Sequence, residues 1–356
     1  MIKKVHIFHH NDADGKFSAA LMYQYIKHYK KQYRKTAFYE IDYIKEINLE
    51  DIPEEDLIVF VDYSFSNEHN LEQLKKAHKR GVDIIWIDHH KSSEKVVFRD
   101  FSGGFGTTEF NNITIVYDNV YSATALTWMY CREKAGSSTA TMPEFIYLVN
   151  NYDLWNFSHG DNTELFNYGM RQTNYNPKSL IREMLAISNT DDFNIFTADI
   201  DDINTMTFSY IQDKLKIGSY IISYDETRYA HDREFGMFKF QIKDERYNET
   251  YNCLGMNIHS NSSAFSNLYD NDDVDIVCPF VMNKDGIWKY SLFCNDKFGI
   301  NLGNIASILG KIPGGSGGGG HAKAAGFHVD HLIIKPNTII TIKKGLFGNS
   351  KANVSI

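Results

Sequence analysis

Proline is scarce, six of 356 residues. With 43% hydrophobic and 14% aromatic residues alongside, that scarcity excludes a disordered or collagen-like chain. The four cysteines, Cys131, Cys253, Cys278 and Cys294, form no C-x-x-C pair, so neither a zinc knuckle nor a disulfide framework is indicated. No uninterrupted apolar run approaches the ~18 residues of a membrane span. The opening MIKKVHIFHHNDADG has a basic pair but no apolar stretch of signal-peptide length, so the expected compartment is the cytoplasm. The three N-x-S/T triplets, at Asn112, Asn248 and Asn261, are then coincidental. A surplus of positive charge is also lacking: 37 Lys and Arg face 45 Asp and Glu, for a net −8. Long nucleic acid, held mainly through neutralised phosphates, is a poor partner for such a chain. A short nucleotide in one local site is not excluded.

The length predicts two domains of roughly 100–200 residues each. In the first half, apolar runs and helical periodicity alternate. Lys4 to His9 predicts a strand, and Phe17, Ala20, Leu21 and Tyr25 recur at helical spacing through about Tyr33. Phe38 to Ile44 reads as a strand. Leu57 to Val61 and Val82 to Ile87 read as strands buried on both faces, ending in Asp62 and Asp88. Leu71, Leu74 and Ala77 mark a helix between them, and Ala123 to Tyr130 another, capped by Ser122. This rhythm predicts a doubly wound parallel sheet, an α/β fold. From about Leu180 to Tyr224 the pattern turns helical and polar, as for a connector. After Phe235, the runs FGMFKFQI, YNCLGMNI, VDIVCPFVM and IWKYSLFC, with a helix over Leu302–Leu309, predict a smaller α+β domain.

Acidic and histidine residues fall where these strands end. His10, Asp12 and Asp14 follow the first strand and are closed by Gly15; Asp62 follows the third; Asp88, His89 and His90 follow the fourth. Asp153 follows the short apolar segment FIYLV, taken as a further strand. In an open α/β sheet the carboxyl ends of the strands face one crevice, where ligands bind. That many carboxylates repel one another unless cations accompany them. Mixed carboxylate and imidazole ligands suit Mn²⁺, Fe or Zn, and an oxygen-rich set favours Mn²⁺. Each piece alone has a bland explanation, as an Asx-turn, a helix cap or a surface loop; their recurrence at successive strand ends is the signal. His9 competes with His10, and the tighter spacing H-x-D-x-D-G favours His10.

The glycines Gly315, Gly317 and Gly320 formally satisfy G-x-G-x-x-G, but no predicted strand leads into them, and His321 stands where a Walker A loop needs Lys. A plain flexible loop is one reading. The other, favoured because the glycines run directly into HAKAAGF, is a phosphate cradle of backbone N–H groups from Gly317, Gly318, Gly319 and Gly320 with His321.

Together HHNDADG, VDYS, IDHH and NNYDLW resemble the four motifs of the DHH phosphoesterase superfamily, and GGGGHAKAAGF resembles the signature of the DHH-associated C-terminal domain. The order matches, the coverage is most of the chain, and the nanoRNase branch, which degrades very short RNAs from one end, is the most similar. The resemblance implies a DHH catalytic domain over 1–190, a helical connector over 191–228 and a substrate-binding domain over 229–356, with the active site in the cleft between domains. It implies two Mn²⁺ ions, with Mg²⁺, Co²⁺ or Fe²⁺ as substitutes. One ion falls to His10, Asp12 and Asp62, the other to Asp14, Asp62, His89 and Asp153, with Asp62 bridging. His90 faces the scissile phosphate, Asp88 orients an imidazole, and Gly317–Gly320 with His321 hold a phosphate or terminal nucleotide. The resemblance further implies an aromatic of the second domain to stack on a base, without identifying which. The family's serine-leucine-arginine-serine stretch corresponds to Ser291-Leu292-Phe293-Cys294, with Phe in place of Arg. The expected activity is hydrolysis of short RNA oligonucleotides to 5′-mononucleotides. The alternatives are a phosphodiesterase or phosphatase on a small nucleotide (a cyclic dinucleotide, its linear product or 3′-phosphoadenosine phosphate) and a non-catalytic nucleotide-binding protein. No long nucleic acid and no membrane are expected as partners, and a homodimer is.

Overall fold

The computed structural model describes residues 2–42, 45–137, 141–157, 160–171, 175–188, 193–259, 265, 268, 273–294, 299–320, 322–343 and 351–355. The chain divides into two compact units, Met1–Ile222 and Ser223–Ile356.

The first unit runs β1 (Lys3–His10), α1 (Ala13–Tyr29), β2 (Tyr33–Ile41), β3 (Leu57–Val61), α2 (Glu68–Arg80), β4 (Asp83–Asp88), α3 (Lys91–Asp100), β5 (Gly106–Phe110), β6 (Ile113–Tyr117), α4 (Ala123–Lys134), α5 (Glu144–Asp153), α6 (Asn162–Arg171), α7 (Pro177–Met184) and the start of α8 (Ile200–Gly236). Its sheet has the order β2-β1-β3-β4-β6-β5. The pairs β1–β2, β1–β3, β3–β4 and β4–β6 are parallel, and β5 closes one edge antiparallel. The expected doubly wound sheet is present, with that antiparallel edge added. The predicted first helix is shorter than expected: it stops at Tyr29, and Tyr33 already opens β2.

Alternation along the strands explains the two-faced burial. In β3, Leu57, Val59 and Val61 join the core under α1, α4 and α5, while Ile58 and Phe60 join a second core with Leu74 of α2 and Val97 of α3. Each such buried side chain contributes roughly 1.5–3 kcal/mol, so both sheet faces demand cover. Helices on opposite faces leave a crevice beyond the carboxyl ends of β1 and β3, where the strand order reverses.

The second unit carries β7 (Met237–Asp244), β8 (Glu249–Asn257), β9 (Ile276–Met282), β10 (Trp288–Phe293), α9 (Leu302–Leu309), β11 (Gly315–Gly320), β12 (Ala324–Val329), β13 (Ile339–Lys343) and β14 (Lys351–Ser355). They form a mixed sheet ordered β11-β12-β10-β9-β8-β7-β13-β14. Leu302, Ile305, Ala306 and Leu309 of α9 complete its core with Tyr290, Leu292 and Phe327. The four predicted aromatic and β-branched runs are β7 to β10. The glycine run is a correction: it is not a loop but β11, an edge strand paired antiparallel with β12. Its composition follows from packing. A Cβ on Gly318 would collide with the carbonyl oxygen of Ala306 in α9, whereas Gly317 and Gly319, on the other side of the strand, meet no described residue within 4 Å. His321 lies outside the described residues.

Candidate metal centre

His10 is the last residue of β1, and Asp12, two residues on, is the N-cap of α1. The Asp12 carboxylate accepts the N–H of Gly15 through Oδ1 at 2.9 Å and that of His10 Nδ1 through Oδ2 at 2.7 Å. Glycine is required at 15, because a Cβ there would strike the carbonyl of His10. Asp14, in the first turn of α1 and buried, accepts the backbone N–H groups of Ala123 (2.7 Å) and Thr124 (2.8 Å). Its charge therefore rests on the N-terminal turn of α4, where free amides and the helix dipole favour an anion. Ser122 caps that helix and donates its own N–H to Asn150 Oδ1 at 2.9 Å, which ties α4 to α5.

Asp62 follows β3 in the left-handed region, with φ +56. Its N–H donates to Ile87 O at 2.9 Å, extending the β3–β4 ladder by one residue. The side chain is 1% exposed, and neither carboxylate oxygen has a hydrogen-bond partner among the described residues. Asp88 ends β4, and His90 is the N-cap of α3. Asp88 Oδ1 accepts from His90 Nδ1 at 2.7 Å, and Oδ2 accepts from Ser93 Oγ. This second-layer carboxylate fixes which nitrogen of His90 carries the proton and how the ring is turned.

These side chains converge. His10 Nδ1 lies 3.6 Å from Asp62 Oδ2, and His89 Nε2 lies 3.4 Å from Asp62 Oδ1, 3.3 Å from Asp153 Oδ2 and 3.7 Å from Asp14 Oδ2. Three sets gather their ligand atoms within 4.8 Å: His10, Asp12 and Asp62; Asp14, His89 and Asp153; Asp62, His89 and His90. Asp62 belongs to two of them and so stands between. His9 points elsewhere, buried, with Nδ1 2.8 Å from the His10 carbonyl and its ring edge-on to Phe38. A cleft of about 580 Å³ opens beside the cluster, with Asp12, Asp14 and Asp153 on its wall.

The electrostatics record crowded charge. Burial, then the charges of Asp12 and Asp14, raises the Asp62 carboxyl well above its ordinary range. Burial and Asp14 push Asp153 up to about 7, against the opposing pull of His89. Burial works against a charged His10, but the bond to Asp12 and the charges of Asp12 and Asp62 outweigh it and raise the ring to about 10. Burial likewise opposes the charge on Asp88, yet His90 and Ser93 keep it ionised, below its usual range. Without cations the cluster thus relies on retained protons. Both oxygens of Asp62, His89 Nε2 and Asp153 Oδ2 are buried without hydrogen-bond partners among the described residues. Buried polar atoms left so are costly. An oxygen-rich set with two or three imidazoles suits a divalent first-row cation, so the residues present fit such an ion.

The structure brings His10, Asp12, Asp14, Asp62, Asp88, His89, His90 and Asp153 together, as the strand-end pattern anticipates, with one correction. Asp153 is the last residue of helix α5, not the end of a strand. FIYLV is helical because Phe145, Ile146, Leu148 and Val149 bury one face, at helical spacing. Sequence reasoning missed Ser93 behind Asp88 and the Ala123–Thr124 amides behind Asp14. The Ser122 cap announced the helix, but nothing announced that it docks on a residue 109 positions away.

A doubly wound α/β unit with a carboxylate–imidazole centre at its topological switch point defines the class. Residues 4–102 match the DHH family, N-terminal domain, and residues 252–341 match the DHHA1 domain. The chain belongs to the DHH phosphoesterase superfamily and carries the DHH-associated C-terminal domain. No curated protein matches it by sequence. Among solved structures, the DHH domain of a member of a family of ribosomal proteins is similar at 14% identity and a TM-score of 0.50, over 92% of this chain and 83% of that one. Exonuclease RecJ bound to manganese is similar at 13% identity and 0.41, over 92% and 86%. RecJ from Thermus thermophilus in complex with Mn²⁺ gives 14% and 0.43, over 92% and 50%. The first of these is a likeness of fold.

Proposed function

We propose that the protein is a Mn²⁺-dependent phosphodiesterase that hydrolyses short RNA oligonucleotides to 5′-mononucleotides. The observation that carries this reading is Asp62, buried and shared by the set of His10, Asp12 and Asp62 and the set of Asp62, His89 and His90, with neither oxygen hydrogen-bonded among the described residues. His10, Asp12 and Asp62 would hold one cation, and Asp14, Asp62, His89 and Asp153 the other. Such a pair supplies Lewis-acid polarisation of the phosphoryl group and an acidified water. The chain's own residues do the rest. Asp88 holds the proton of His90 on Nδ1, so the opposite edge of the ring is presented to a phosphate oxygen. Burial opposes a charge on that ring, but Asp88 beside it raises its pKa, so His90 can meet the charge that develops as water attacks phosphorus. The P–O3′ bond breaks, and the leaving 3′-oxygen takes up a proton. Asp14, pinned to α4, and Asp12, pinned to Gly15, keep their geometry through the cycle.

A cleft of about 580 Å³ and a net charge of −8 support a short substrate over a long polyanion. Gly317–Gly320 and His321 are proposed to bind a phosphate, a reading supported by the faces of Gly317 and Gly319, which meet no described residue within 4 Å. The test is a product assay on RNA dimers to heptamers, cyclic dinucleotides and 3′-phosphoadenosine phosphate, in Mn²⁺ and in EDTA. Conversion of dimers to 5′-mononucleotides, lost in EDTA, is expected. Turnover of one small nucleotide alone would move the substrate while keeping the site, and tight binding without turnover would overturn the enzyme reading.

A further inference from the structure

Trp155 is 55% exposed and its backbone has φ +55. A bulky residue seldom adopts that conformation, and a large exposed apolar ring is itself unfavourable in water. Local structure holds it there: Trp155 N–H donates to Tyr152 O at 3.1 Å, and Asn156 N–H to Asn151 O at 2.7 Å. The indole packs edge-on against Tyr152, at 5.7 Å between centroids, and against Phe157, at 4.9 Å. Trp155 also lines the cleft that Asp12, Asp14 and Asp153 border.

A cation stands on the same cleft. Arg171, at the end of α6, donates from one terminal nitrogen to Tyr152 Oη at 2.8 Å and lies over the ring of Tyr168, 4.5 Å from its centroid. These contacts fix its plane, and no carboxylate pairs with it among the described residues. A guanidinium with its fork oriented and no carboxylate paired with it among the described residues is suited to a phosphate oxygen.

We infer that this wall is a nucleotide subsite: Trp155 is a stacking platform for one base, and Arg171 holds the phosphate attached to that nucleoside. The ligand class is a nucleoside monophosphate unit, free or as one residue of an oligonucleotide. Resting on the phosphodiesterase reading of the adjoining carboxylates, the inference places the base of the substrate within the first unit. The sequence led instead to an aromatic of the second domain.

The experiment is calorimetric titration of the full chain with 5′-AMP and with ribose 5-phosphate, in Mn²⁺, beside the turnover assay on an RNA dimer. Base stacking on an aromatic ring makes the wild-type protein bind 5′-AMP roughly 5- to 150-fold more tightly than ribose 5-phosphate. Trp155→Ala should bring that ratio near one, and Trp155→Phe, which keeps a ring, should retain part of it. Arg171→Gln should weaken both ligands alike. A wild-type ratio near one, or a ratio that survives Trp155→Ala, overturns the subsite even if the dimer is hydrolysed. The expected ratio with no turnover of any nucleotide establishes the subsite and refutes the phosphodiesterase reading instead.

Discussion

Asp62→Asn should stabilise the metal-free protein and at the same time abolish its response to metal. In EDTA the wild-type carboxylate is 1% exposed, lacks a hydrogen-bond partner among the described residues and faces other carboxylates. Asparagine keeps the shape, removes the charge and tolerates the left-handed backbone at φ +56. An unsatisfied buried polar group costs about 1–3 kcal/mol, more when charged. A unit of this size shifts about 2–4 °C per kcal/mol, so the variant should melt some 2–12 °C above wild type in EDTA at pH 7. The sign with pH follows from the raised folded-state pKa. The penalty is absent below the ordinary carboxylate range and grows as pH rises, so the advantage of asparagine fades on acidification. Saturating Mn²⁺ reverses the order: at a hundred times Kd, wild type gains about 2.7 kcal/mol per site, roughly 5–11 °C, and the variant barely moves. Scanning calorimetry of both proteins, with and without Mn²⁺, reads all of this. A variant that melts below wild type in EDTA, or that gains as much from Mn²⁺, would refute the argument that Asp62 is strained without a cation and shared between two.

Asp62→Ala should remove turnover more completely than His321→Ala, because it disturbs both ligand sets; equal residual activity would count against sharing. Asp88→Asn leaves the ligand atoms in place but releases the proton assignment on His90, and a loss of about 10- to 100-fold in kcat with little change in KM is expected. In that background His90→Asn should add little further loss, and a fully additive double variant would separate the two residues. Gly318→Val should destabilise the second unit by about 1–3 kcal/mol or more, since its side chain meets the backbone of α9. Gly319→Ala meets no described residue and should melt like wild type; the opposite ranking in calorimetry would overturn the packing explanation of the glycine run.

The parts of this molecule that were legible in the sequence are those where one local signal carries the information. Buried strands such as Leu57–Val61 announce themselves as apolar runs, and a polar residue at the end of each marks the crevice side of the sheet, so Asp62, Asp88, His89 and His90 could be placed without a structure. Where two signals conflict, the local one misled. FIYLV has a strand's composition but a helix's burial pattern, and the difference shows only once the neighbours that cover Phe145 and Leu148 are known. The glycines of β11 carry no side-chain periodicity at all, so a strand dictated by the closeness of α9 looked like a loop.

Proximity across the chain was not legible. Asp14 is held by amides 109 and 110 residues later, and Trp155 shares a wall with Arg171 only because α6 folds back beside α5. This divides the site into two kinds of residue. Metal-ligating positions sit at or beside the ends of regular elements, where the fold forces them together and the sequence spacing betrays them. The groups proposed to recognise the nucleotide lie beside them, Trp155 just past the end of α5 and Arg171 at the end of α6; NNYDLW contains the tryptophan, and none of the quoted motifs contains the arginine. Most of the metal-ligating set is then fixed at the strand ends, with Asp14 on α1 and Asp153 on α5, while nucleotide contacts can vary just past α5 and on α6. The physical reason is that the side chains at 155 and 171 can change without moving β1, β3 or β4, whose side chains are locked by burial on both faces of the sheet.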